Sequence, residues 1–297
     1  MKTLIRTLES DPNVRGLGLA ALLAGVALVA WAALVGMRAR TEPSHCPAGT
    51  SGQSGRCCGA GQRVRGGVCH GTPTACPEGT RLVSAPTPGC VVVPEKVLVP
   101  GGSVLLGPTD WDGASLRTTR IVSVRTFYLD QAEVTEHRYA DCTRAGMCPV
   151  RDAAREPGLP VSGVDATLAE RFCAFAGGRL PTGAEWTFAA AGTEGRRYPW
   201  GAHGLVCRRA AYGRVDGPCT EGARGPDLAG IRKEGETQSG ILDLAGNVAE
   251  WAKDDDGHLS LRGGSYASMA AGDLKSWSER PAQVSAEAGF RCAYSVP

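Results

Sequence analysis

The longest apolar run lies near the start of the chain. Residues Gly16 to Met37 pass without a charge, carry Leu22, Leu23, Val26, Leu28, Val29 and Trp31, and show no polar face. As a helix rising ~1.5 Å per residue the run reaches about 33 Å, enough for a hydrocarbon core of ~30 Å. Arg15 closes it on one side, Arg38 and Arg40 on the other. A secretory signal peptide is the competing reading, but its apolar region runs only about 7–15 residues. The pattern predicts a tail over 1–15 and an uncleaved transmembrane anchor over 16–37.

Beyond Val91 shorter patterns take over. Val97 to Leu106 reads as two short strands about Pro100-Gly101-Gly102, and Ile121 to Leu129 as another strand with partial alternation. Three short helices are marked by their caps. Thr135 caps Glu136 to about Arg144 with Gly146 as the stop, and Asp165 caps Ala166 to Ala176 with Leu168, Phe172 and Phe175 on one face. Thr182 and Glu185 have capping-box spacing ahead of Trp186 and Phe188, with Gly192 as the stop. After Gly192 the chain is glycine-rich with short strands at most. This is a mixed α+β pattern without the strand–helix alternation of a doubly wound sheet.

Composition adds compartment and excludes partners. A net charge of +2 speaks against a nucleic-acid binder, and 42% hydrophobic with 21% charged residues is globular. All 12 cysteines follow residue 45, which points to disulfides and an oxidising compartment. The body from about Thr41 onward is therefore expected outside the cytoplasm.

Half of the cysteines fall in residues 46–90 and repeat. Units opening Cys46-Pro-Ala-Gly, Cys58-Gly-Ala-Gly and Cys76-Pro-Glu-Gly close at Cys57, Cys69 and Cys90. The repeat favours local pairs Cys46–Cys57, Cys58–Cys69 and Cys76–Cys90 among the connectivities that six cysteines allow. Zinc is the alternative, but there is no Cys-x-x-Cys pair and only His70 stands beside Cys69. Residues 41–94 read as a disulfide-rich stalk, and 95–297 as the main domain.

Seven segments of that domain carry a resemblance. They are Phe127-Tyr-Leu-Asp-Gln-Ala-Glu-Val-Thr, Pro160-Val-Ser-Gly-Val, Gly178-Arg-Leu-Pro-Thr-Gly-Ala-Glu-Trp, Tyr198-Pro-Trp-Gly, Gly240-Ile-Leu-Asp-Leu-Ala-Gly-Asn-Val-Ala-Glu-Trp, Leu261-Arg-Gly-Gly-Ser-Tyr and Gly289-Phe-Arg-Cys-Ala. In this order the domain resembles the formylglycine-generating enzyme (sulfatase-modifying factor) family. The resemblance implies an irregular α+β fold of C-type lectin-like type, with Trp186 in the core. It implies a Cys173–Cys292 disulfide, closing a loop of ~120 residues where upwards of ~4 kcal/mol is expected. Cys142–Cys148 and Cys207–Cys219 are then the natural remaining pairs, leaving no free thiol. It also makes a bacterial cell envelope the expected setting, with the body periplasmic on a single span.

The family's oxidase chemistry uses two cysteines, five residues apart, after the Gly-Gly-Ser motif, whose thiolates bind copper(I). The matching positions here are Ser268 and Asp273, and Leu261 to Arg291 contains no cysteine. Copper is therefore not expected, since soft copper(I) needs soft sulfur ligands. Iron is not expected either, because the five histidines form no close pair. Calcium survives as an expectation: the resemblance puts its ligands at the Ala245, Gly246 and Val248 carbonyls and the Glu250 carboxylate, the hard oxygens that calcium takes. The alternative is that Asn247 and Glu250 only hydrogen-bond their turn.

What remains is a recognition scaffold. The segment after Gly-Gly-Ser-Tyr lines the family's substrate groove, and Tyr266, Ser268, Asp273, Trp277 and Arg280 are expected to contact a peptide, protein or glycan. The competing placement has Trp277 in the core and Arg280 paired with a carboxylate. Two other readings stand beside this one, an oxidoreductase with a rebuilt metal site and a purely structural envelope protein.

Overall fold

The computed structural model describes residues 50–53, 56–65, 68–76, 80–83, 89–92, 96–106, 120–151, 155–220 and 224–297. The expected tail, the membrane anchor over 16–37 and Cys46, the expected partner of Cys57, lie outside them. Among the described residues no helix is long and apolar enough to cross a membrane.

The cysteine-rich segment is built of three antiparallel hairpins: β1 (Thr50–Gln53) with β2 (Arg56–Gly59), β3 (Arg63–Arg65) with β4 (Val68–His70), and β5 (Thr80–Val83) with β6 (Gly89–Val92). Cys58–Cys69 and Cys76–Cys90 pair as the repeat predicts. The third unit does not stand off from the rest. Cys90 and Cys76 pack with Leu159, Leu228 and Ile231, and a methyl added to Gly158 would fall 2.0 Å from the Cys90 carbonyl oxygen.

Strands β7 (Lys96–Val99) and β8 (Gly102–Leu106) flank the Pro-Gly-Gly turn but do not pair with each other. The expected single strand from Ile121 divides at Arg125-Thr126 into β9 (Arg120–Val124), which pairs with β8, and β10 (Phe127–Asp130), which pairs with β7. The division lets one apolar run serve two sheets. Helices α1 (Glu136–Arg144), α2 (Ala166–Phe175) and α3 (Gly183–Ala191) start at their predicted caps, and α3 has the reciprocal Thr182/Glu185 capping box.

Strands β11 (Ala249–Lys253), β12 (Leu259–Arg262) and β13 (Glu279–Pro281) form an antiparallel run, with β14 (Ala288–Gly289) added parallel to β11. The last strand, β15 (Ala293–Ser295), belongs to the other sheet, beside β10. The Gly289–Ala293 segment is therefore not one strand. It crosses from one sheet to the other, and the crossing places Arg291 in the core. Gly289 is required there, because a methyl on it would meet the Val161 carbonyl and the Val248 side chain at 2.5 Å.

Two apolar clusters hold this arrangement. One joins α1 and α2 to the β11–β14 sheet, with Phe172 edge-on to Phe290 at 5.5 Å and the Cys173–Cys292 disulfide beside them. The other seats Trp186 and Phe188 of α3 on the β8–β9 hairpin. Cys142–Cys148 and Cys207–Cys219 complete five disulfides among the described residues, where no cysteine is free.

Candidate functional site

The segment from Gly263 to Arg280 is folded by its glycines. Gly263 and Gly264 have φ of 80° and 67°, a left-handed conformation that side chains disfavour. A methyl on Gly264 would lie 3.0 Å from the Ser268 hydroxyl and 2.8 Å from the Asp273 carbonyl oxygen. The two positions where the family's thiols would stand are thus gathered around one bare backbone turn. Ser268 spends its hydroxyl accepting the Ser265 N–H at 3.0 Å, and it is buried.

Neighbouring backbone pins the same segment from both sides. The Tyr266 N–H donates to the Asn247 carbonyl, while the Tyr266 and Ser268 carbonyls accept from the Arg214 and Gly213 N–H groups, each at 2.8 Å. The Tyr266 phenol is half-buried. Burial raises its pKa, with Glu287 acting in the same direction and Arg155 against it.

Arg280 lies across from Glu287, Nη1 to Oε2 at 3.6 Å, and the same Glu287 oxygen accepts the Ser265 hydroxyl. Tyr266, Ser268, Asp273 and Arg280 are thereby drawn into one region. Trp277 is partly buried and packs against the cluster that holds Trp186 and Phe188. Sequence reasoning missed Ser265, Glu287 and Arg155. Ser265 sat inside a quoted motif, but nothing in the sequence marked the other two.

The proposed calcium ligands meet a different arrangement. Glu250 is fully buried and holds Arg291 through two bonds, Nη2 to Oε1 at 2.6 Å and Nε to Oε2 at 2.7 Å. The indole N–H of Trp186 donates to Oε2 at 2.7 Å. A divalent cation on this carboxylate would sit beside a fixed guanidinium, and a buried cation pair of that kind is strongly disfavoured. Among the described residues no three His, Cys, Asp or Glu side chains converge as a metal-holding group. Of the expected set Ala245, Gly246, Val248 and Glu250, the one carboxylate is thus engaged by Arg291, a partner the sequence did not reveal.

Two further carboxylates crowd this centre. Glu133 accepts the Val248 N–H at 3.0 Å and the Asn247 amide at 2.6 Å. Burial raises the Glu133 pKa well above the usual range, and the Asp243 and Glu250 charges add to this. Burial likewise pushes Asp243 up to about 6. Asp227 behaves oppositely: burial acts to raise it, but Arg232 and Arg214 outweigh that and hold it well below the carboxylate range.

A separate polar cavity of about 670 Å³ opens at the start of α3, lined by Arg125, Arg179, Thr182, Asp254, Asp255 and Ser295 among others. None of the expected binding residues lines it. Asp254 accepts the Gly183 N–H on its Oδ1 at 2.8 Å, a second cap on α3.

The bovine (Bos taurus) protein named inactive C-alpha-formylglycine-generating enzyme 2 is 32% identical over 169 residues, covering 47% of this chain and 55% of its own. The chain thus spans about half the length of that relative. The formylglycine-generating enzyme of Streptomyces coelicolor is 26% identical over 237 residues, 58% of this chain and 76% of the relative. The solved structure of PvdO from Pseudomonas aeruginosa superimposes with a TM-score of 0.54 at 22% identity, over 70% of this chain and 95% of PvdO, which supports the fold alone. A model of the sulfatase-modifying factor enzyme 1-like domain matches residues 83–296, and the chain belongs to that family.

Proposed function

We propose that the domain is a non-catalytic recognition module, displayed outside the cytoplasm from the anchor over 16–37, that binds a peptide, protein or glycan on the face formed by Tyr266, Asp273 and Arg280 over the buried Ser268. The observation that carries this reading is chemical. The positions matching the family's thiol pair are Ser268 and Asp273, and the described cysteines are all in disulfides. Oxygen ligands of this kind give copper(I) no soft partner. The bovine relative named as inactive supports the same reading.

Elemental analysis tests it. The body from residue 41 onward, or the full chain in detergent, is exposed to copper, iron or calcium and desalted. The expected result is no stoichiometric copper or iron. Copper retained at one equivalent, with oxygen uptake that depends on an added cysteine peptide, would overturn the proposal in favour of an oxidoreductase.

A further inference from the structure

Among the described disulfides Cys207–Cys219 and Cys76–Cys90 each have one half-buried end, and Cys207–Cys219 alone of the two closes a loop bonded to the binding segment. Cys207 is only half-buried, and its sulfur rests 3.7 Å from the Pro218 carbonyl in an exposed contact. Cys173–Cys292, Cys142–Cys148 and Cys58–Cys69 have both ends buried. Thiol–disulfide exchange begins with a thiolate reaching one sulfur, so access sets which bond reacts first.

The loop closed by this disulfide carries the partners of the binding segment. Gly213 and Arg214, inside it, donate their N–H groups to the Ser268 and Tyr266 carbonyls. The Cys219 N–H returns to the Gly213 carbonyl at 3.3 Å, and a methyl on Gly217 would lie 2.8 Å from the Met269 sulfur. One end of the loop is the half-buried Cys207, and its Gly213 and Arg214 amides hold the Ser268 and Tyr266 carbonyls.

We infer that Cys207–Cys219 is a thiol-exchange site that governs the binding segment, with Cys207 as the sulfur attacked by an external thiol. A thiolate attacks Cys207 Sγ, the Cys207–Cys219 bond breaks, and Cys219 leaves as a thiolate that takes a proton from water. A second thiol attacks the mixed disulfide, releases Cys207 as a thiolate and forms the oxidised disulfide of the reagent. Two electrons pass from the thiol pair to the protein. Once opened, the loop loses its closure, and Gly213 and Arg214 are held to the segment less tightly. The consequence for ligand binding rests on the recognition reading above, whereas the exchange chemistry does not.

The test uses the folded protein and dithiothreitol as the probe. Limited reduction without denaturant, followed by alkylation and peptide mass spectrometry, should label Cys207 and Cys219 severalfold faster than Cys173 and Cys292. Cys76–Cys90, which also has one half-buried end, serves as an accessible control away from the segment. Hydrogen exchange of the Gly213 and Arg214 amides should rise severalfold in the reduced protein and in the Cys207→Ser/Cys219→Ser variant. Equal labelling of Cys207 and Cys173 would overturn the exchange site. Unchanged exchange at Gly213 and Arg214 after confirmed reduction would overturn its control of the segment. Neither outcome needs a ligand, so both are separate from failure of the recognition reading.

Discussion

Arg291 and Glu250 face each other in the closed core, and every donor of the guanidinium is used. Nε and one Nη2 proton go to Glu250, the other to the Leu242 carbonyl at 2.7 Å, and Nη1 serves the Asp130 and Gln131 carbonyls at 3.1 and 3.2 Å. The guanidinium therefore ties the β10 end, the Leu242 loop and β11 together at the point where the chain changes sheets.

Removing one partner of such a pair leaves an uncompensated buried charge. Glu250→Gln is expected to destabilise the domain by about 3–5 kcal/mol. The loss should appear in urea unfolding with a chelator present, since its origin is Arg291. A loss seen only when calcium is available would assign Glu250 to a metal instead.

Stability should rise on mild acidification. An acid whose folded pKa exceeds its unfolded value is favoured when protonated, so ionisation of Asp243, at about 6 against 3.8, weakens the fold as pH climbs between those values. Glu133 acts with the same sign. Asp227, held low by Arg232 and Arg214, works the other way, and its contribution is lost only as pH falls below its ordinary range. Tm is thus expected to increase from neutral pH to about pH 5 and drop again at lower pH. Asp243→Asn should flatten the rise; a Tm that falls steadily from neutrality would refute it.

The local elements were legible because their signals are local. Thr135, Asp165 and Thr182 marked three helix starts through one side chain each, and the cysteine repeat gave two of the described pairs outright. What failed to show was pairing across distance. Nothing in Val97–Leu106 says that its two strands leave for different partners. Nothing near Gly289 says that Arg291 meets a carboxylate 41 positions earlier. The expected binding residues split for the same reason: Ser268 and Asp273 are joined by a local glycine turn, whereas Trp277 follows a core that α3 assembles from elsewhere.

That split predicts unequal substitutions. Trp277→Ala empties part of a packed cluster and is expected to lose about 3 kcal/mol or more. Arg280→Ala breaks a half-exposed pair at 3.6 Å and should change stability by no more than about 1 kcal/mol. Thermal unfolding of the two variants checks the ranking, which makes Arg280 the usable probe of recognition and Trp277 a structural control.

Disulfide removal should scale with the loop that each bond closes. Cys173–Cys292 spans 119 residues and Cys142–Cys148 only 6. Replacing the first pair by serine is expected to lose upwards of ~4 kcal/mol, and the second clearly less. Unfolding midpoints in denaturant would show whether the order holds.

The sharpest test of a lost chemistry is to restore its sulfur. The Ser268 hydroxyl and the Asp273 carbonyl oxygen both come within 3.0 Å of the same point beside Gly264, so positions 268 and 273 are neighbours in the fold. The Ser268→Cys/Asp273→Cys variant, reduced and kept from oxygen, is expected to bind one copper(I) where the unchanged protein binds none, because thiolates supply the soft donors that hydroxyl and carboxylate oxygens lack. Competition with a copper(I) chelator reads the result directly. Binding by the variant would mean that only the ligands were lost and the groove kept its form. No binding by a variant that still folds would mean that the segment from Gly263 to Arg280 has been reshaped around its present residues, as the Ser268–Ser265 hydrogen bond already suggests.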